Sequence, residues 1–128
     1  MEKKYSLYLD DFRDPIDSSY YRSESVYAEL QWVVVRCYDE FVKTVQEIGI
    51  PETVSFDHDL ADGHYAHQSK IDYNRFIEKT GFHCAEWLIN HCIDNELKLP
   101  QTILIHSMNP AGSLNIKSLF DTYNKVYN

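Results

Sequence analysis

The chain has 128 residues, the size of a single domain, and such a domain buries roughly two thirds of the surface its unfolded form exposes. Its composition, 44% hydrophobic and 25% charged with four glycines and four prolines, excludes collagen-like and disordered classes, and no apolar run approaches the ~20 residues of a membrane span. A net charge of -8 argues against broad attachment to duplex DNA, which needs many Lys and Arg contacts to phosphate, but is compatible with a small anionic substrate or a single nucleic-acid end.

Three cysteines, Cys37, Cys84 and Cys92, are an odd number without metal-ligand spacing. The opening MEKKYSLYLDD carries no secretory apolar segment. A reduced, cytoplasmic protein of one domain, 1–128, is therefore expected.

In chain order, Tyr5–Leu9 is the first short apolar run with strand character. Asp14–Gln31 is polar and rich in Ser, Tyr and acid, so a loop is expected, with one short helix around Ser25–Leu30; this segment offers a surface for a protein partner. The second strand is Trp32–Arg36. Tyr38, Phe41, Val42, Val45 and Ile48 then recur on one helix face before Gly49 and Pro51 stop the pattern. Thr53–Phe56 is the third strand, and Ala61–Lys70 a polar, Gly-punctuated loop. Ile71–Glu96 reads as helical with a break at Thr80-Gly81, Thr102–His106 as the fourth strand, and the segment after Pro110 and Gly112 as a last helix. Strands alternating with helices predict parallel pairing through right-handed crossovers, hence an open α/β sheet with helices on both faces.

Ligands of such sheets bind at the carboxyl ends of the strands, and three of the four ends here are crowded with polar groups. The first strand runs into Asp10-Asp11-Phe12-Arg13, the third into Asp57-His58-Asp59 and the fourth into His106-Ser107-Met108-Asn109. Clustered carboxylates repel unless a cation lies among them, and oxygen ligands on a short rigid edge suit Mg²⁺ or Mn²⁺. Asp10, Asp11, Asp57 and Asp59 are the expected ligands; taken singly, each would read as a helix cap or a solvated loop acid. His58 and His106, each beside groups able to tune a ring, suit an acid–base pair near neutrality, the alternative being hydrogen-bonded packing. Arg13 suits a phosphate or a surface ion pair. Ser107 and Asn109, at the start of the last helix, would face an anion or merely cap the helix. His64 and His67 read as part of a solvated loop, His83 and His91 as structural, and Cys84 and Cys92 as core.

Leu-Tyr-Leu-Asp10-Asp11-Phe-Arg13, Ser-Phe-Asp57-His58-Asp59-Leu and Ile-His106-Ser107-Met-Asn109-Pro110-Ala-Gly112-Ser-Leu-Asn115-Ile together resemble the signature of the cyclic-phosphate processing receiver domains, over almost the whole chain. The acidic pair and Asp57 also resemble response-regulator receivers more broadly. The resemblance implies a three-layer α/β sandwich with a four-stranded, mostly parallel sheet of order 2-1-3-4, a receiver-like fold truncated before the fifth strand and its lysine. It also implies a phosphoesterase acting on a cyclic phosphate, a 2',3'-cyclic RNA end or a cyclic nucleotide. In that reading His58, His106 and Arg13 are catalytic, Ser107, Asn109 and Asn115 bind substrate, and a metal held by the acids offsets charge in the transition state. The competing readings are a degenerate receiver serving as a binding or adaptor module, and another Mg²⁺-dependent phosphohydrolase.

Overall fold

In a computed structural model, the described residues are 4–22, 26–60 and 79–127. They form strands β1 (Ser6–Leu9), β2 (Trp32–Val35), β3 (Thr53–Phe56) and β4 (Thr102–Ile105) and helices α1 (Pro15–Arg22), α2 (Val26–Glu29), α3 (Tyr38–Ile48), α4 (Gly81–Asp94) and α5 (Pro110–Tyr127). The sheet is parallel throughout, in the order β2-β1-β3-β4. Its register places Leu9 beside Val35 and Phe56, and Phe56 beside Ile105.

This order dictates the layers. The crossover from β1 to β2 runs in one direction along the sheet and those from β2 to β3 and β3 to β4 run in the other, so right-handed connections put α1 and α2 on one face and α3 and α4 on the opposite one. Side-chain contacts agree. Leu7, Leu9, Val54 and Phe56 join Phe41, Val45, Leu88, Ile116 and Phe120 in one fully buried apolar cluster beneath α3, α4 and α5. On the other face, Tyr8 of β1 meets Ser18 of α1 through its hydroxyl at 2.6 Å, and Tyr27 of α2 meets Ser55 of β3 at 2.8 Å. Crossovers diverge between β1 and β3, and this switch point is where an open α/β sheet leaves a crevice.

The expectation of a loop after Asp14 is corrected by α1. Pro15 occupies its first position, where no N–H partner is needed, and the Asp17 carboxylate accepts the Asp14 N–H at 2.9 Å, a helix start built from Asp-Pro-Ile-Asp. The short helix expected around Ser25–Leu30 is α2. The partner surface expected over residues 14–31 is partly turned inward: Tyr27 and Ser18 are buried, whereas Tyr20 is 78% exposed. α3 keeps its expected bounds and ends at Gly49, whose φ of 112° favours glycine. Gly81 opens α4 after Thr80, whose N–H donates to His83 Nδ1 at 2.9 Å, so His83 serves the helix start. Cys84 and Cys92 lie in the core, where burial raises both thiols, Cys92 to about 11. The loop expected over 61–70, with His64 and His67, and the helix expected over 71–78 fall outside the described residues. No helix among the described residues is long and apolar enough to cross a membrane.

Candidate active site at the carboxyl edge of the sheet

β1, β3 and β4 deliver their terminal polar residues to one edge. Asp10, Asp11 and Asp57 have carboxylate oxygens within 4.8 Å of one another at the switch point. The three sit in different surroundings. Asp10 is fully buried; its Oδ1 accepts the N–H groups of Phe12 (3.1 Å) and Arg13 (2.9 Å), and its Oδ2 meets His106 Nε2 at 3.1 Å. Burial alone would raise its pKa, but the His106 bond and the two backbone donors outweigh that and hold the carboxyl below its ordinary value. Burial raises Asp11, and the neighbouring Asp10 charge adds to the effect. Burial also raises Asp57, to about 7, reinforced by the charges of Asp10, Asp59 and Asp11 and opposed by Arg13.

This donor set fits a divalent cation. Three carboxylates converge, and Asp11 Oδ1 is buried without a hydrogen-bond partner among the described residues, the condition a positive ion would relieve. Asp59, expected as a fourth ligand, stands apart. Its Oδ1 meets His58 Nδ1 at 2.7 Å, and Asn109 Nδ2 donates to both its oxygens at 3.2 and 3.4 Å.

The two histidines lie on different sides of the β3 end. His106 follows Ile105 and so continues the row of Asp10 and Asp57; its ring stacks on Tyr8 at 4.3 Å, meets Tyr27 edge-on, and binds Ser55 Oγ through Nδ1 at 2.6 Å. His58 lies one residue further along β3 than that row, paired with Asp59 beneath α5. A Cβ added at Gly112 would overlap its ring, so only glycine lets α5 approach so closely. Both rings are buried, His58 completely. Of the pair expected to act as acid and base, His106 has Ser55 on one ring nitrogen and Asp10 on the other, and His58 has Asp59 on Nδ1. Each imidazole thus meets a carboxylate.

Arg13 is half-buried, its guanidinium over the Phe12 ring at 5.2 Å, and its charge reaches Asp11 and Asp57. Ser107 and Asn109 build the start of α5: the Asn109 N–H donates to Ser107 Oγ at 3.1 Å, and Asn109 Oδ1 accepts the Gly112 N–H at 2.9 Å. Of the two readings of these residues, capping is the one the hydrogen bonds support. Asn115 lies half-buried further along α5.

Sequence reading passed over Tyr8, Ser55, Tyr27 and Ser18, which line the buried face below the acids. A signal for two of them exists. Ser6, Tyr8 and Asp10, and likewise Thr53, Ser55 and Asp57, alternate with apolar residues at the period of a strand, marking a polar face that leads to the edge.

An acidic cluster at the switch point of a parallel sheet of order 2-1-3-4 defines a receiver-like α/β domain. The family model of the cyclic-phosphate processing receiver domain matches residues 5–122, and the chain belongs to that family. No curated protein and no solved structure matches the chain.

Proposed function

We propose that this domain hydrolyses a cyclic phosphodiester, the cyclic end of an RNA or a cyclic nucleotide, at the edge formed by Asp10, Asp11 and Asp57. The observation that carries the reading is the convergence of three carboxylates within 4.8 Å, one with a buried oxygen unpartnered among the described residues, in a chain of the cyclic-phosphate processing family. Asp10, Asp11 and Asp57 would hold Mg²⁺ or Mn²⁺, which when bound supplies positive charge to the phosphoryl oxygens. Without such charge the carboxylates would repel the substrate. Arg13 adds a guanidinium beside the same acids and offsets charge gathering on phosphorus in the transition state. Water adds to phosphorus, one ring ester bond breaks, and the departing oxygen takes a proton, leaving a phosphomonoester. His106 and His58 serve this site by holding Asp10 and Asp59 in place.

The test supplies 2',3'-cyclic mononucleotides and a cyclic-phosphate-ended RNA with Mg²⁺, with Mn²⁺ and with chelator. Expected is metal-dependent turnover that Asp57→Asn lowers by roughly a hundredfold or more. Failure to turn over any cyclic phosphate, or turnover unchanged in Asp57→Asn or in chelator, overturns the reading. Phosphorylation of Asp57 by acetyl phosphate in place of hydrolysis would assign the domain to the receiver class.

A further inference from the structure

We propose that Ser55 and Tyr27 are positioning residues of the acidic site, acting through His106 to hold Asp10 in the orientation that receives a divalent cation; the inference rests on the cation-dependent reading above. Four groups form one unbroken chain from α2 to the sheet edge: Tyr27 OH to Ser55 Oγ at 2.8 Å, Ser55 Oγ to His106 Nδ1 at 2.6 Å, and His106 Nε2 to Asp10 Oδ2 at 3.1 Å. All four residues are buried.

With the His106 ring neutral, the protons in this chain have one consistent direction. Ionised Asp10 only accepts, so His106 Nε2 carries the proton that faces it. In the neutral ring Nδ1 then accepts, and its donor is the Ser55 hydroxyl. A serine has a single hydroxyl proton, so with that proton turned to the ring, Ser55 accepts from Tyr27. In that neutral state every hydrogen in the series points toward the carboxylate. Aromatic packing fixes the ring as well, with Tyr8 stacked on His106 at an interplanar angle of 8° and Tyr27 against its edge at 78°.

Ser55 lies between Val54 and Phe56 in a fully buried central strand, where an apolar residue would pack without a polar partner. The Ser55 hydroxyl answers two buried polar groups, the His106 ring nitrogen and the Tyr27 hydroxyl. Asp10 in turn has its Oδ1 held by two backbone N–H groups and its Oδ2 by one ring N–H, so the carboxylate plane is set before any ion arrives. Partners of this kind behind a ligand typically change metal affinity by roughly ten- to a hundredfold when removed.

The experiment titrates the full chain with Mn²⁺ by electron paramagnetic resonance in wild type, Ser55→Ala, Tyr27→Phe and Ser18→Ala, and reads the His106 ring by ¹⁵N NMR. Ser18→Ala removes a buried hydroxyl from the same face but outside the chain of donors, so it controls for general loosening. Expected is a ring protonated at Nε2 with Nδ1 accepting. Mn²⁺ affinity should fall roughly tenfold or more in Ser55→Ala, less in Tyr27→Phe and not at all in Ser18→Ala. Turnover at saturating Mn²⁺ should stay near wild type in both relay variants. Wild-type affinity in both variants, or a wild-type ring protonated at Nδ1 alone, overturns the inference while leaving the cation site intact. Wild-type protein that binds no Mn²⁺ overturns the cation-dependent reading and this inference with it.

Discussion

The two faces of the sheet are both buried, yet they are built from opposite chemistry. Beneath α3, α4 and α5 lie Leu7, Leu9, Val54 and Phe56 with their apolar partners, held by burial and dispersion that depend little on direction. Beneath α1 and α2 lie Tyr8, Ser55, Tyr27, Ser18 and His106, each joined to a neighbour by a directed bond. An apolar layer tolerates small reorientations, whereas a satisfied polar layer admits one arrangement. The first face therefore supplies most of the folding stability, and within the second the Tyr27–Ser55–His106 chain transfers orientation to Asp10 at the edge.

Truncation on the apolar face should have the largest effect. Phe56 packs against Phe41 and Phe120 with ring centroids 5.7 and 5.6 Å apart, so Phe56→Ala should cost about 3–5 kcal/mol by urea denaturation. Mn²⁺ affinity of the protein that remains folded should be retained; loss of both together would break the division of labour.

Asp57 tests the polar edge with the opposite sign. Its pKa stands at about 7 in the folded chain against an ordinary value of 3.8, so the folded state binds the extra proton between those limits. Stability of the metal-free protein should then fall as pH rises through that window, by about 4 kcal/mol in all, since a tenfold change in proton affinity corresponds to ~1.36 kcal/mol. Added Mg²⁺ should raise the melting temperature more at pH 8 than at pH 5. Asp57→Asn should flatten the pH slope and abolish the Mg²⁺ effect, and a variant that keeps both would sever Asp57 from the cation site.

Gly112→Ala forces a methyl into the His58 ring and should cost about 2 kcal/mol by thermal melting, through overpacking. The smallest effect is expected from Ser18→Ala, about 1 kcal/mol for the lost bond to Tyr8, with Mn²⁺ affinity unchanged.

Much of this was legible in the residues. Apolar runs ending in acids located the strands and the edge, and the spacing of Phe41, Val42 and Val45 located α3. The sequence placed Asp57 ahead of Asp59 as a ligand, but the surroundings that hold each acid were not legible in Asp-His-Asp. Only the parallel register of Phe56 with Ile105 shows that Asp57 shares a row with His106 while His58 lies one position beyond it, and a shift of one residue along a strand reverses the side a group faces. The helix α1 was hidden for another reason: its start signal, Asp14-Pro15-Ile16-Asp17, sits in a segment whose polarity suggested a loop.

The junction of β3 with α4 has one more consequence. The Gly81 N–H donates to the His58 carbonyl at 2.8 Å, and a Cβ at Gly81 would overlap the Asp57 carbonyl, so the start of α4 is pinned against the backbone that carries Asp57. A side chain at position 81 would thus push directly on the strand end that carries Asp57, so glycine is what the edge admits there.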